Sequence, residues 1–227
     1  FKTYDNSIEF IPNLKDGEKV KIGDIPFTVH GSSRTLLTIE RLVLNVMQRM
    51  SAISTLTDKF VQELKGFKTK VLDTRKTTPL NRFLEKQAVK IGGGHNHRFG
   101  LYDMIMLKDN HIDFAGGIKK AIIKANDYID AENLNLKIEI ETRNLQELKE
   151  VLKCGGVDRI MLDNFTFDDL KLAVELINGR FESEASGGIN LKTIKDYALS
   201  GVDYISVGAL THSIKNMDLS LKAINQL

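Results

Sequence analysis

From about residue 70 onwards the chain repeats one unit, a short apolar run followed by an amphipathic stretch with helical spacing. The apolar runs lie at 70–72, 104–107, 136–140, 159–162, 181–183 and 204–207, and the amphipathic stretches at about 80–91, 116–128, 144–154, 166–178 and 190–200. Such alternation indicates a parallel sheet whose strands are joined by helices. Six or more units favour a closed α/β barrel over an open sheet.

The first 70 residues have a different pattern. Turn signals at 15–17, 22–24 and 30–32 predict short strands joined by tight turns. From Leu36 onwards, helical spacing predicts a long connecting helix with a break near Ser51. Its apolar stripe consists of Ile39, Leu42, Val43, Val46, Met47 and Met50. The chain opens at Phe1 without an initiator methionine, so we expect an upstream segment in the natural protein.

Composition restricts the class of protein. The 227 residues are 42% hydrophobic and 27% charged, as in a soluble globular protein of one enzyme-sized α/β domain with an appendage. The single cysteine, Cys154, excludes an intrachain disulfide framework and suits a reducing cytoplasm. No apolar run approaches the roughly 20 residues that span a bilayer, and no signal peptide is visible, so we expect no membrane partner.

Positive charge is concentrated between Arg75 and Lys108. This segment holds seven lysine and arginine residues and two acidic ones, a net charge of +5, whereas the whole chain has a formal net charge of only +2. Three of the five histidines, His95, His97 and His111, lie in or beside it. A polyanion is the natural partner of such a segment, either nucleic acid or a small, multiply charged metabolite.

The residues at the ends of the predicted strands are unusually polar. They are Asp73, Lys108, Glu141, Asp163, Glu184 and Gly208. Barrel enzymes build their active sites on this face. Lysines are mostly exposed, so Lys76 and Lys108 each have a simpler interpretation as solvated surface residues. Because Lys108 directly follows a short apolar run, however, we expect its side chain to point into the barrel mouth.

The stretch Gly92-Gly93-Gly94-His95-Asn96-His97-Arg98 has three interpretations. The glycines make either a flexible turn or a close backbone approach to a ligand. The His95 and His97 pair is also compatible with zinc. Arg98 and Lys108 oppose a dication, whereas His, Arg and Lys together suit carboxylates. We therefore favour anion recognition over zinc.

Glu139, Glu141 and Asp163 are acidic residues at consecutive strand ends, across the predicted mouth from the basic cluster. Glu139 and Glu141 are compatible with one face of an alternating strand and no further role. The functional interpretation is that one or more of the three hold Mg²⁺, which takes one or two carboxylates together with substrate phosphate oxygens and water.

Two glycine-containing turns follow late strands, at 186–189 and 207–211. Either is compatible with a simple tight turn. Barrel proteins often bind phosphate on such late loops and at a helix N-terminus, where free backbone N–H groups favour an anion. Two such turns in succession favour phosphate.

Several stretches together resemble nicotinate-nucleotide pyrophosphorylase, a family also called quinolinate phosphoribosyltransferase. They are DTRKTTP (73–79), LEKQAVKIGGGHNHRFGLYDMIMLKDNHI (84–112), MLDN (161–164), EASGGI (184–189) and GVDYISVGALTHS (201–213). The similarity runs from about Asp16 to the end. It implies a reaction of quinolinate with phosphoribosyl pyrophosphate and Mg²⁺ that gives nicotinate mononucleotide, pyrophosphate and CO₂, on the de novo route to NAD.

The resemblance also implies a fold. It predicts an incomplete, seven-stranded α/β barrel at residues 45–210 and an N-terminal open α/β sandwich domain at residues 1–44, completed by 211–227 and only partly represented. A homodimer, or a higher oligomer built from dimers, follows from the same resemblance. Nucleic acid is not expected as a partner.

By that resemblance the acid carboxylates are held by Arg75, His97, Arg98 and Lys108, joined by Arg41 of the neighbouring subunit. Lys76, Glu141 and Asp163 serve phosphoribosyl pyrophosphate, with Glu141 and Asp163 as Mg²⁺ ligands, and its 5′-phosphate is bound by Ser186, Gly187, Gly188 and Gly208. The catalytic candidates are Lys76, Lys108, Glu141 and Asp163. Ala52 and Leu80-Asn81 depart from the family pattern, and neither departure removes a charged ligand.

Three other functions remain open from the sequence. A Schiff-base barrel lyase would use Lys108 as its nucleophile. A non-enzymatic anion-binding module would not need acidic metal ligands opposite the basic cluster. A related phosphoribosyltransferase for another aromatic acid would share all of the phosphoribosyl chemistry.

Overall fold

The computed structural model describes residues 1–224. Residues 225–227, the end of the predicted completing segment 211–227, lie outside the described residues. The chain begins with an antiparallel pair of strands, β1 (Glu9–Pro12) and β2 (Phe27–His30). Phe10 and Phe27 pack against each other across this pair, with ring centroids 5.1 Å apart. None of the described helices combines the length and apolarity needed to cross a membrane.

The helix that follows, α1 (Ser33–Glu63), is continuous for 31 residues, so the predicted break near Ser51 is wrong. The helix contains no glycine or proline, and Ile53 and Phe60 anchor its second half in the core. The predicted apolar stripe is wrong at one position, because Leu42 is 69% exposed. The predicted domain boundary between residues 44 and 45 falls within α1 and stays a prediction.

The remainder alternates strands and helices, as predicted. The strands are β3 (Lys70–Leu72), β4 (Ile105–Leu107), β5 (Ile138–Thr142), β6 (Arg159–Asp163), β7 (Glu182–Ser186) and β8 (Tyr204–Ser206). The helices are α2 (Arg82–Ile91), α3 (Asp109–Ala115), α4 (Ile118–Ala131), α5 (Leu145–Cys154), α6 (Phe167–Ile177), α7 (Ile194–Leu199) and α8 (Ala209–His212).

The six strands form one parallel sheet in the order β3-β8-β7-β6-β5-β4. His95 adds a seventh extended position, because it forms a parallel bridge with Leu72 on the free side of β3. The architecture is therefore the barrel-like α/β fold that the sequence predicted. The carboxyl ends of all its strands lie on one face.

Side chains alternate between two environments along these strands. Residues such as Ile140, Leu162 and Ile205 are fully or almost fully buried and form the core with the surrounding helices. The alternate positions are largely polar, and register places Glu139 opposite Arg159. The hydrophobic core thus lies outside the sheet, and charged side chains occupy its inner face.

This alternation explains the differences in strand bounds. β7 was predicted at 181–183 but extends over the sequence ESEAS to Ser186, because Ser183 and Ala185 face the core while Glu184 is buried on the inner face. β5 likewise runs two residues beyond its predicted end, through the buried Glu141. A strand that encloses a charged interior lacks the apolar run that marks an ordinary buried strand.

The glycines at 92–94 have a packing role. A Cβ at Gly92 would lie 2.4 Å from the backbone oxygen of Ser54, and one at Gly94 would lie 2.7 Å from the Thr57 side chain. Both contacts are with α1. The close approach that these two glycines permit is therefore between helix and loop, which corrects the interpretation that glycine here serves a ligand.

Candidate active site

Three predicted cations converge above the inner face of the sheet. Burial lowers the pKa of Arg98, and the neighbouring guanidinium of Arg75 lowers it further. Lys108 lies close enough to oppose the upward pKa shift that burial produces at Glu139. The Nε atoms of Arg75 and Arg98 are buried without a hydrogen-bond partner among the described residues. These guanidinium groups retain donors for an anion.

A buried ion pair fixes the segment that carries Arg98. Lys86 of α2 pairs with Asp73 at the end of β3, and both side chains are almost fully buried. Lys86 Nζ also donates to the His97 carbonyl oxygen (3.0 Å), and the His97 amide donates to Asp73 Oδ1 (2.8 Å). Asp73 and Lys86 therefore hold residues 97–98 against β3.

Not all of the +5 charge of the 75–108 segment is free for a ligand. Lys86 is neutralised by Asp73, and Lys108 forms a 3.2 Å ion pair with Glu141. Lys90 is exposed on the outer surface of α2. The cations of this segment that face the site without a carboxylate partner among the described residues are Arg75, Arg98 and, beside Gly208, Lys76.

The ring of His97 is oriented by its own backbone. Nδ1 accepts a hydrogen bond of 2.7 Å from the Arg98 amide, so the proton of the neutral ring lies on Nε2. Nε2 lies 2.9 Å from Glu139 Oε2, without the alignment of a hydrogen bond. Burial lowers the pKa of His97. Both ring nitrogens face protein atoms, and the predicted contact between His97 and the acid stays a prediction.

Beneath His97 lies a buried carboxyl pair. Burial raises the pKa of Glu139 to about 7, although the neighbouring Glu184 carboxyl opposes this shift, and burial together with the charge of Glu139 raises the pKa of Glu184 to about 8. Arg159 opposes the shift through a 3.1 Å contact of Nη1 with Glu184 Oε2. Glu139 is the second residue of β5. Its predicted place at a strand end is therefore wrong, because it lies deeper, inside the barrel.

His97, Glu139 and Glu184 are also close enough together to serve as ligands of one metal ion, and His95 does not belong to this group. The predicted zinc alternative required His95 and His97 together. Arg159 already forms an ion pair with Glu184, and Lys86 and Arg98 add positive charge near His97. Cations at this distance oppose a dication, so we interpret the three residues as a buried polar cluster and not as a metal site.

The acidic side of the mouth is adjacent to the basic side. β4 and β5 are neighbours in the sheet, which allows the ion pair between Lys108 and Glu141. The prediction that these carboxylates lie across the mouth from the basic cluster is wrong for Glu141. Asp163, at the end of β6, accepts hydrogen bonds of 2.7 Å from Ser186 Oγ and from Asn164 Nδ2.

The first glycine turn is built around Asn164. Gly187 has φ +104°, and a Cβ there would lie 2.1 Å from Asn164 Oδ1, so only glycine fits. Gly188 has φ +60° and nothing within 4 Å of a Cβ. Its side of the turn is open. Ser186, Gly187 and Gly188 thus lie beside Asp163, and their predicted role as 5′-phosphate ligands stays a prediction.

The second turn lies beside Lys76. A Cβ at Gly208 would be 3.3 Å from Lys76 Cδ and 3.0 Å from the ring of His212. Thr211 Oγ1 donates to the Lys76 carbonyl oxygen (2.8 Å). The fold therefore brings Lys76, from the loop after β3, together with the predicted phosphate turn after β8.

Arg41 is not part of this constellation. It is exposed on the first half of α1 and makes no hydrogen bond or ion pair with the part of the chain that the structure describes. Arg49, two turns later on the same helix, contacts two barrel loops, at Thr78 and at Thr211.

Comparison with known proteins identifies the family of the chain. The model of the quinolinate phosphoribosyl transferase N-terminal domain matches residues 2–51, and that of the C-terminal domain matches residues 53–222. The chain belongs to the quinolinate phosphoribosyltransferase family. The predicted resemblance is confirmed.

Relatives of this family match along the whole chain. The chain is 45% identical over 241 residues to the chloroplastic nicotinate-nucleotide pyrophosphorylase (carboxylating) of Arabidopsis thaliana, covering 100% of this chain and 69% of that protein. A probable nicotinate-nucleotide pyrophosphorylase (carboxylating) of Bacillus subtilis (strain 168) is 43% identical, covering 97% of this chain and 75% of that one. The crystal structure of NadC from Streptococcus pyogenes superimposes with a TM-score of 0.91 at 42% identity, covering 98% and 77%.

Sequence reasoning missed several residues that build this quinolinate phosphoribosyltransferase site. Glu184 and Arg159 were given no role, and Asp73 and Lys86 were not recognised as a pair. Glu184 carried a usable signal, since an acidic residue two positions before Ser186 lies on the same strand face. His212, beside Gly208, carried no signal beyond its place in a family motif.

The raised pKa of Glu184 predicts how stability depends on pH. The folded carboxyl binds its proton up to about pH 8, whereas the ordinary value is 4.5. The folded state therefore binds more protons than the unfolded one, and stability falls as pH rises through this window. Urea unfolding from pH 5 to 9 should show a smaller fall for Glu184→Gln. Glu175→Gln, at an exposed position of α6, should keep the parental slope; equal slopes in all three proteins would contradict the assignment.

Proposed function

We propose that this protein transfers the phosphoribosyl group of phosphoribosyl pyrophosphate to quinolinate and releases pyrophosphate and CO₂, forming nicotinate mononucleotide for NAD synthesis. One observation carries the proposal. Arg75 and Arg98, which have no carboxylate partner among the described residues, lie close to a subsite made of carboxylates and glycine turns. Family membership supports the same reaction. Formation of nicotinate mononucleotide from the two substrates and Mg²⁺ is its direct test.

The acid subsite consists of Arg75, Arg98 and Lys108. Quinolinate has two carboxylates, and arginine binds a carboxylate through two parallel hydrogen bonds. Lys108 would exchange its contact with Glu141 for one with the acid. His97 supports this subsite through the Arg98 backbone, and we keep it as a candidate ligand.

The phosphoribosyl subsite lies on the other side of Glu141. Gly188 presents an open turn for the 5′-phosphate, and Gly208 lies against the side chains of Lys76 and His212. Positive φ at Gly188 opens the backbone to close approach. Lys76 would neutralise phosphate charge.

Glu141 and Asp163 are the residues that would hold Mg²⁺. They are hard oxygen donors near the ends of adjacent strands, and Ser186 and Asn164 fix the Asp163 carboxylate in one orientation. Bound there, Mg²⁺ would supply electrostatic stabilisation of the departing pyrophosphate. Lys108 at 3.2 Å from Glu141 balances that carboxylate before substrates bind.

The chain's residues act mainly through charge. Loss of pyrophosphate from the ribose leaves positive charge near its anomeric carbon, which Glu141 and Asp163 stabilise. Lys76 stabilises the leaving group, and preorganised charges of this kind are usually the largest catalytic contribution. Attack by the pyridine nitrogen makes the ring cationic, which favours loss of the C2 carboxylate as CO₂. The electron pair left on C2 then takes up a proton in place of the carboxylate. Arg75 and Arg98 then serve to orient the acid.

Two alternative functions, a Schiff-base lyase and a related phosphoribosyltransferase, differ in how well they fit the structure. The structure disfavours a Schiff-base lyase, because Lys108 forms an ion pair with Glu141 whereas a Schiff-base lysine requires an uncharged amine. Borohydride trapping with a carbonyl substrate would reveal such a lyase. A related phosphoribosyltransferase for another aromatic acid is tested by replacing quinolinate with monocarboxylate analogues.

We propose in addition that the active enzyme is a homodimer, or an assembly of dimers, in which Arg41 enters the neighbouring subunit's acid subsite. Arg41 lies beside Leu42, which is 69% exposed, and Leu37 on the same helix is 71% exposed. Around the barrel mouth, Leu80 and Phe83 are also exposed. Large exposed apolar side chains of this kind are typical of an interface with a second copy.

For localisation we propose the cytoplasm. Cys154, the only cysteine of the sequence, is exposed and unpaired, which suits a reducing compartment. The chloroplastic name of the Arabidopsis thaliana relative identifies an organelle as the alternative. Imaging of the tagged natural protein distinguishes the two.

Arg98→Ala should weaken quinolinate binding by roughly one to two orders of magnitude, because a charge-assisted hydrogen bond contributes about 1.5–3 kcal/mol. Titration calorimetry with quinolinate measures the effect. Lys90→Ala removes the same charge from the outer surface of α2 and should bind quinolinate as the parent does. Parental affinity in Arg98→Ala would remove this residue from the acid subsite.

Asp163→Asn should raise the concentrations of Mg²⁺ and phosphoribosyl pyrophosphate that half-maximal activity requires, because one metal ligand loses its charge. Quinolinate affinity should stay close to that of the parent. Kinetics at varied Mg²⁺ measure the first effect, and Asp168→Asn, exposed on α6, is the control. If Asp163→Asn and Glu141→Gln both keep the parental Mg²⁺ dependence, these carboxylates have a structural role instead.

Arg41→Ala and Lys108→Ala should each be nearly inactive alone and regain activity when mixed. Random exchange gives about half mixed dimers with one intact site of two, so roughly a quarter of parental activity should return. The two variants are unfolded and refolded together, and each is treated alone as a control. Absence of recovery, with mixed dimers demonstrated by two affinity tags, would show that Arg41 does not act across subunits.

A further inference from the structure

A second charged cluster, Arg49 with Glu85, lies outside the subsites described above. Glu85 of α2 is fully buried, and the Arg49 side chain is 24% exposed. Arg49 donates to Glu85 Oε1 from Nη2 (2.9 Å) and from Nε (3.1 Å). A buried ion pair is weak evidence of a stabilising role, since burial of two charges offsets much of their attraction. The other contacts of Arg49 and Glu85 indicate that this pair has a second role.

Those contacts reach two loops of the barrel face. Arg49 Nη2 donates to the backbone oxygen of Thr211 (2.6 Å) and to Thr78 Oγ1 (3.2 Å). The other carboxylate oxygen of Glu85 accepts from the Thr78 amide (3.2 Å). The pair therefore holds the loop after β3 at Thr78 and the short helix α8 at Thr211.

Both anchored loops carry phosphate-subsite residues. Thr211 donates through Oγ1 to the Lys76 carbonyl oxygen, and Gly208 lies against the Lys76 side chain. In the acid subsite, Arg98 is anchored through Asp73 and Lys86, which hold the neighbouring His97 backbone. Arg75 lies on the loop after β3 that both networks hold, two residues after Asp73 and three before Thr78.

We propose that Arg49 and Glu85 are positioning residues for the phosphoribosyl pyrophosphate subsite, which they set through Thr78 and Thr211 without touching substrate. This inference rests on the proposed function for the identity of the ligand. Because Asp73 and Lys86 anchor the Arg98 segment without this pair, loss of the pair affects phosphoribosyl pyrophosphate binding more than quinolinate binding.

Arg49→Lys is the central test, because lysine keeps the charge but cannot reach Glu85, Thr78 and Thr211 with one planar group. The KM for phosphoribosyl pyrophosphate should rise about tenfold, the effect of losing roughly one charge-assisted hydrogen bond. The Kd for quinolinate, measured by calorimetry, should stay within twofold of the parent.

The matched control is Glu63→Gln. Glu63 pairs with Lys195 at 2.7 Å and so also ties α1 to a barrel helix, yet it contacts neither loop. Glu63→Gln should change neither the KM for phosphoribosyl pyrophosphate nor the Kd for quinolinate. If Arg49→Lys folds poorly, Thr211→Val removes the Oγ1 contacts with the carbonyl oxygens of Lys76 and Gly208 and should raise the same KM.

A readout independent of activity separates this inference from the proposed function. Hydrogen exchange at the Thr78 amide, which Glu85 protects, should accelerate in Glu85→Gln whatever the substrate is. A parent that forms no nicotinate mononucleotide contradicts the proposed function alone. Faster exchange combined with an unchanged KM, or an equal loss of quinolinate affinity, would overturn the positioning role.

Discussion

Burial of charge on the inner face of the sheet is the constraint on which the rest of this structure depends. Strands β5, β6 and β7 place Glu139, Arg159 and Glu184 inside the barrel, where solvation by water is lost. Such groups are tolerated when they pair with opposite charge or take up a proton. Arg159 pairs with Glu184, and the raised pKa values of the two carboxyls provide the remaining compensation. The hydrophobic core is consequently displaced to the outer face, where helices cover it.

The same constraint determines how the loops are held. A loop that carries Arg75 or Arg98 must keep its cation near other cations, an arrangement that opposes folding until an anion binds. Asp73 and Lys86 fix one such segment through backbone contacts at His97, and Arg49 and Glu85 fix the other at Thr78. In each network the charged side chains bind backbone groups of the loops, so Arg75 and Arg98 stay available for an anion. Preorganised positive charge is what recognition of a polyanionic substrate pair requires.

The sequence predicted the alternation of strands and helices well, because the outer face of each strand is apolar. It also placed Lys108, Asp163 and the glycine turns correctly on the carboxyl face. Two kinds of feature could not be predicted from the sequence. β7 was shortened because a strand with Glu184 at its centre lacks an apolar run, and α3 was missed because it follows β4 without a separating loop. Burial of Glu85 depends on Arg49, 36 residues away, and no local pattern reveals such a partner.

The continuity of α1 connects the two proposals. Arg41 and Arg49 lie eight residues apart on one unbroken helix, about 12 Å along its axis at 1.5 Å per residue. If Arg41 is donated to the neighbouring subunit, one rigid helix supports the phosphate subsite of its own chain and the acid subsite of the other. A break at Ser51 would have left Arg41 and Arg49 on one rigid segment but separated both from Ile53 and Phe60, which anchor the helix in the core. The unbroken helix instead fixes Arg41 relative to the barrel, which a residue donated across an interface needs.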